Sequence, residues 1–258
     1  MTSLTVSTAR QFVEEAELPP TPPTHRAARD ASLAPKFDIT KNQAAVVGSG
    51  LVSFVSGVTP ERREAIMNSS LLAQLVAKQK VGDETHLKEW YDQYFDVLGN
   101  IGWIIQEKNS AVFRESGSNL EIHKAIMSVA GTLLSAAPTA LALVRTTLEA
   151  LQQKNSPWIT IFNRESQRAR TAHFQVSLAQ EDPSGQFLVT LMAFGLEAKK
   201  TITQVLLFKV KKQDAVLRHY SGNVTINTGV LDSVREPLKA KLAAHANAYI
   251  AKLPDLPV

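Results

Sequence analysis

The 258-residue chain is 44% hydrophobic and 20% charged, enough apolar material for one domain with a substantial core or for two small ones. It contains no cysteine, which excludes disulfides, thiolate catalysis and cysteine metal sites. The net charge of +4 arises within residues 157–227, where nine Lys/Arg face five Asp/Glu, a mild pull toward anionic surfaces and well short of a nucleic-acid footprint.

Residues 1–36 read as a flexible polar arm, with a Pro-rich run at Pro19–Pro23. They lack the basic start and apolar core of a secretory signal, so the expectation is a protein soluble in the producing cell. One α+β domain is then expected over 37–258: a helical part at 42–154, an antiparallel sheet at 157–227, and a C-terminal helix at 230–253.

The segment AAVVGSGLVS (44–53) imitates a dinucleotide-binding turn, but Ser53 stands at the third glycine position and helical sequence follows. Thr59-Pro60-Glu61 marks a helix start that runs to about Lys80, with Leu71, Leu72, Leu75 and Val76 on its buried face. Asp83 opens an amphipathic helix carrying Leu87, Trp90, Tyr91, Tyr94, Leu98, Ile101, Ile104 and Ile105 at three-to-four spacing. Ser118 to Glu121 matches a capping box ahead of the longest charge-free run, AIMSVAGTLLSAAPTALALV (125–144). That run is long enough to cross a hydrocarbon core, yet Pro138, six alanines and several hydroxyls dilute it. It reads as two helices, 119–136 and 138–154, that either meet a membrane or bury themselves on another layer.

After Pro157 the period changes from 3.6 to 2. WITIF (158–162) reads as a strand. In 170–180, Ala172, Phe174, Val176 and Leu178 alternate with Thr171, His173, Gln175 and Ser177. Asp182–Gly185 is a turn, 187–197 is apolar on both faces, 201–211 is a further strand, Lys212–Asp214 turns, and 216–227 ends an antiparallel meander. Helical spacing returns through Leu231, Val234, Leu238, Leu242, His245, Tyr249 and Leu253, with Pro237 near its first turn or at a kink.

No GxSxG elbow, HExxH or Walker loop occurs. The six histidines are dispersed; His173 and His219 are expected to face solvent from the sheet, with no carboxylate beside them. No catalytic, cofactor or metal residue is assigned, and an enzyme is the third choice of class. Phe208 beside Lys209 is too little for a nucleic-acid stacking platform.

Gln153-Lys154-Asn155, Trp158-Ile159 and Arg164-Glu165 precede the alternating strand 170–180. Gly195-Leu196-Glu197 ends the next strand, and Gln204–Phe208 forms the one after. In order and spacing, residues 119–215 resemble the Cyt family of cytolytic δ-endotoxins. The resemblance implies a helical hairpin ahead of an antiparallel sheet. It also implies a pore-forming protein that binds phospholipid, is activated by trimming of its termini, and oligomerises as its helices swing off the sheet. On that reading the membrane-inserting residues are Phe187, Val189, Leu191, Ile202, Leu206 and Phe208. The headgroup contacts are Lys199, Lys200, Lys209, Lys211 and Lys212. The helical lid carries Ile126, Val129, Leu133, Leu134, Leu141 and Val144. The partners are a phospholipid membrane and further copies of the chain, with no nucleic acid and no cofactor; the final location is outside the producing cell, at a target membrane. The alternative is a non-catalytic assembly protein whose N-terminal arm docks on a neighbouring subunit.

Overall fold

The computed structural model describes residues 5–21, 36–105, 110–114, 117–152, 157–181 and 186–256. Helix α1 (Val6–Glu15) precedes strands β1 (Gln43–Val47) and β2 (Gly50–Phe54), followed by α2 (Pro60–Val81) and α3 (Leu87–Asn100). Short strands β3 (Trp103–Ile104), β4 (Ala111–Val112) and β5 (Asn119–Glu121) lead into α4 (Ile122–Leu133), α5 (Pro138–Leu151) and α6 (Pro157–Ser166). Then come β6 (Gln167–Arg168), β7 (Thr171–Glu181), β8 (Phe187–Ala198), β9 (Lys209–Lys211) and β10 (Ala215–Ile226). Helix α7 (Thr228–Tyr249) and β11 (Ile250–Lys252) close the chain.

The fold is α+β, as the sequence pattern predicts. The main sheet has the order β11-β1-β2-β7-β8-β10-β3, with the meander β7-β8-β10 at its centre. Helices lie on both faces, which is why β7 and β8 are buried along nearly their whole length. Pairing is antiparallel except between β2 and β7, which run parallel. On one face α1, α2, α3 and α7 cover Val52, Phe54, Phe187, Val189, Leu191 and Val224. On the other, α4, α5, α6 and the 201–208 segment cover Val46, Phe174, Val176, Met192, Phe194 and Leu196.

Local signals explain several elements. The Thr59 hydroxyl accepts from the Arg62 amide and Pro60 takes the first helical position, so α2 starts where the sequence places it. The Gly-Ser-Gly segment is the tight turn between β1 and β2. Gly48 has φ +56°, and a Cβ there would lie 2.2 Å from the Gln74 amide oxygen. That amide accepts from the Ser49 N–H at 2.9 Å and donates to the Val47 carbonyl at 2.9 Å, so the close approach is used.

Other expectations need correction. The N-terminal arm is not free over its first part: α1 buries Ala9 and Val13 against α7. Pro237, which sits inside α7, has no N–H for the Ser233 carbonyl, and Arg10 Nε donates to that carbonyl at 2.9 Å. Residues 22–35 of the arm lie outside the described residues. WITIF is helical, not a strand. Pro157 suits a first helical turn, and Phe162, Glu165 and Ser166 are buried at helical spacing. A five-residue apolar window does not separate the two periods.

The capping box is absent. Residues 119–121 stay extended to pair with β9, and the Glu121 carboxylate binds Lys209 at 2.8 Å and Lys124 at 3.1 Å. The strand expected at 201–211 is three residues long. Ahead of it, Ile202, Val205 and Leu206 are buried at three-to-four spacing, and the Phe208 amide bonds back to the Val205 carbonyl at 3.1 Å. Helix α3 starts at Leu87, because Asp83 folds into a local turn by accepting from the Thr85 amide and hydroxyl. The C-terminal helix ends at Tyr249, and the next three residues pair with β1. The turn expected at Asp182–Gly185 lies outside the described residues.

Candidate functional site

The charge-free stretch forms a hairpin. The first helix stops at Leu133 and Pro138 begins the next, and among the described residues no helix is long and apolar enough to cross a membrane. Ile126, Val129, Leu134 and Val144 are buried against the sheet cluster, while Leu133 and Leu141 are half-buried. The helices meet the sheet through apolar side chains, with one hydroxyl pair between them among the described residues: Ser53 Oγ and Thr147 Oγ1 lie 2.9 Å apart. Thr147 in turn donates to the Leu143 carbonyl at 2.8 Å, so Ser53 is the donor of the pair.

The six insertion candidates divide between the faces. Ile202, Leu206 and Phe208 share a cluster with the hairpin. Phe187, Val189 and Leu191 point the other way, into the α2–α3–α7 layer. Strand alternation is the reason: in β8 the odd positions from 187 to 193 face one layer, while Met192, Phe194 and Leu196 face the hairpin. The hairpin, together with α6 and the 201–208 segment, therefore covers the face of Phe174, Met192, Phe194 and Leu196 rather than that of Phe187, Val189 and Leu191.

The five headgroup candidates gather at one end of the sheet, near the start of β10. Lys199 pairs with Asp214 at 3.2 Å and Lys209 with Glu121 at 2.8 Å; Lys200 and Lys211 are exposed, and Lys212 is part of the same surface.

A second cluster lies under the opposite face, where sequence reasoning expected solvent. His173 is 2% exposed and its ring centroid sits 4.2 Å from that of Trp90. Glu84, in the turn before α3, receives both Arg168 Nη2 contacts, at 2.7 and 2.8 Å, and lies 3.5 Å from Lys78. Lys78 also reaches Glu165 at 3.3 Å, and Arg164 joins Glu165 to the Ala248 carbonyl. The His173 ring is 3.6 Å from Glu84, too far for a hydrogen bond. Burial, then Arg168 and Lys78, push its pKa down to about 3, so the ring is neutral at pH 7. Expecting His173 on a solvated face without a carboxylate was thus wrong on both points. Gln175 and Ser177 of β7 are also buried: Gln175 accepts from Ser49 and donates to Tyr91, whose hydroxyl donates to the Phe194 carbonyl at 2.7 Å. His219 is half-buried on β10, 3.2 Å from Ser221 Oγ.

The buried charge cluster escaped sequence reasoning because Glu84, Lys78, Glu165 and Arg168 come from four separate segments. Among the described residues, no group of three or more His, Asp or Glu is placed to hold a metal ion.

The geometry defines a class: an α+β protein whose central meander is roofed by helices on both faces. No family model matches the sequence, and no curated protein matches it significantly. Among solved structures the fold is weakly similar to a delta-endotoxin, at TM-score 0.39 and 14% identity over 86% of this chain and 96% of that one. It is also weakly similar to the Evf virulence factor, at TM-score 0.37 and 12% identity over 80% and 85% of the two chains.

Proposed function

We propose that this chain is a membrane-active protein of the Cyt-like, pore-forming kind, which binds phospholipid and oligomerises once its helical hairpin leaves the sheet. The observation that carries the reading is the build of the hairpin interface. Strands β7 and β8 present apolar side chains to α4 and α5, which meet them almost entirely through aliphatic groups.

Magnitudes decide when such a lid opens. Exposing Ile126, Val129, Leu134 and Val144 to water costs about 1.5–3 kcal/mol each, on the order of 10 kcal/mol together. That rivals the whole stability of a typical domain, roughly 5–15 kcal/mol, so the lid stays shut in water. In a bilayer the same side chains exchange protein for hydrocarbon and the penalty largely disappears. The freed strands then need partners, because unpaired backbone groups are expensive in lipid, and this is the reason for oligomerisation.

The cluster of Lys199, Lys200, Lys209, Lys211 and Lys212 supplies headgroup contacts. Trimming of the N-terminus would release α1 and uncover α7. The mechanism requires no catalytic group and no cofactor. The assembly alternative loses its motivating feature, because the first part of the arm docks on its own α7.

Dye release from zwitterionic and anionic liposomes, before and after limited proteolysis, tests the reading. Leakage is expected after trimming at the latest. No leakage from either lipid in either state would remove it.

A further inference from the structure

The segment between β8 and β9 turns one large side chain the wrong way for a folded core. Ile202, Val205, Leu206 and Phe208 are buried, while Leu207 between them is 54% exposed. Among the described residues it is the most exposed of the large apolar side chains that reach the surface, ahead of Ile104 at 48%.

Its surroundings are basic. Lys209 and Lys211 flank the buried Val210 on β9 and so share one outward side. Lys199 and Lys200 lie at the other end of the segment, and Lys124 opens the neighbouring helix. Two acids among the described residues belong to this surface, Asp214 and Glu121. Both are largely covered, and both are already paired, with Lys199 and with Lys209 and Lys124 respectively. Glu197 projects from the opposite side of the sheet, where it lines a groove with Arg218.

The tip is also held firmly. The Lys199 amide bonds to the Asp214 carbonyl at 2.8 Å and the Ile202 amide to the Ala169 carbonyl at 2.7 Å. The Ile122 amide reaches the Phe208 carbonyl at 3.2 Å, and the Lys212 amide the Ser118 carbonyl at 3.0 Å. An apolar tip fixed in this way, with Lys209 and Lys211 on the strand that follows it, loses little conformational freedom on docking.

We infer that Leu207 and the lysines around it form the first lipid-contact surface, which seats on anionic bilayers with Leu207 entering the headgroup–acyl boundary. This deepens the membrane reading and rests on it. An aliphatic tip whose sequence neighbour Phe208 is turned inward suits a lipid interface; a nucleic-acid surface needs exposed aromatic rings for stacking. The five lysines nominated as headgroup contacts thereby gain an apolar anchor that sequence patterning had hidden.

Vesicle co-sedimentation of the full chain tests it, with phosphatidylcholine vesicles and phosphatidylcholine/phosphatidylserine vesicles. Wild type should prefer the phosphatidylserine vesicles. Leu207→Ser should bind them about tenfold more weakly, and Lys200→Ser/Lys211→Ser about fivefold more weakly per lysine removed. Ile104→Ser, a comparably exposed apolar position paired with Thr225 at the far end of β10, should bind like wild type. The indole introduced by Leu207→Trp should shift its emission to the blue on these vesicles and be quenched by brominated acyl chains. Equal binding by wild type and Leu207→Ser, with no quenching of the Leu207→Trp variant, would overturn the docking surface while leaving membrane activity standing. Failure of wild type to bind or permeabilise either vesicle would instead remove the underlying reading. Tighter retention on single-stranded DNA than on the vesicles would also overturn it, by making the patch a nucleic-acid surface.

Discussion

At the scale of single residues, three side chains carry more of the structure than their types suggest. Arg63 is fully buried, yet its bonds go to neutral oxygens. Its guanidinium donates to the Val58 carbonyl at 2.8 Å, to Gln43 Oε1 at 2.7 Å and to the Lys41 carbonyl at 3.1 Å, and lies over the rings of Phe37 and Phe54. Arg63→Met keeps the apolar stem and strands those acceptors, so a loss of about 3 kcal/mol is expected in urea unfolding. Ala169 has φ +44°, a conformation that costs an L-residue roughly 1 kcal/mol. Ala169→Gly should therefore raise the unfolding midpoint, by up to about 1 kcal/mol in stability.

His173 sets a pH dependence. Folding lowers its pKa from 6.5 to about 3, so between those values the unfolded chain takes up a proton that the folded chain refuses. Stability from this group is complete above about pH 6.5 and falls with pH down to about 3, by on the order of a few kcal/mol. Lys78 from α2, Glu84 from the turn before α3, Glu165 from α6, Arg168 from β6 and Tyr249 from α7 all line the same site. Their own titrations overlay the profile, so the comparison that isolates His173 is with His173→Gln. The variant should lose less stability than wild type between pH 7 and pH 4. Parallel losses would show that the ring is not responsible.

At the scale of elements, long periodic segments were legible and short ones were not. The aromatic stripe of α3, the charge-free hairpin and the alternation in β7 each spread their signal over several turns or pleats, and the Thr59-Pro60 start of α2 is backed by the long helix that follows it. WITIF and TITQVLLF offer five and eight residues, too few to separate a period of two from one of 3.6. Asn119–Glu121 satisfies a capping rule by spelling, but pairing with β9 holds it extended. Helix α1 was invisible because Ala9 and Val13 form only a narrow apolar stripe. Arg10 binds the carbonyl that Pro237 leaves without its helical donor on α7, and Lys241 also donates to the Glu14 carbonyl, so Arg10→Ala should speed proteolytic release of α1 without unfolding the remainder. Equal cleavage rates for variant and wild type would contradict that role.

At the scale of the whole molecule, the two helical layers are unequal. The α1–α2–α3–α7 layer holds the sheet through a buried charge cluster, the Tyr91–Gln175–Ser49 hydrogen bonds and a dense set of rings. The hairpin layer holds it through aliphatic contact and the Ser53–Thr147 pair. Sequence patterning found the hairpin and the β7-β8-β10 meander, but it placed β1 and β2 in the helical part and could not say which β8 side chains the hairpin layer covers, since that depends on a register only the fold fixes. On the membrane reading proposed above, the asymmetry marks the hairpin as the layer that would leave, opening the sheet face that carries Phe174, Met192, Phe194 and Leu196.

The absence of native cysteine allows a direct test. Ser53→Cys/Thr147→Cys places two thiols where the hydroxyls now lie 2.9 Å apart, joining the hairpin to the sheet when oxidised. The measurement is liposome dye release by this variant, oxidised and then reduced. Leakage is expected from the reduced protein and none from the oxidised one. Equal leakage from both would contradict a lid that must lift.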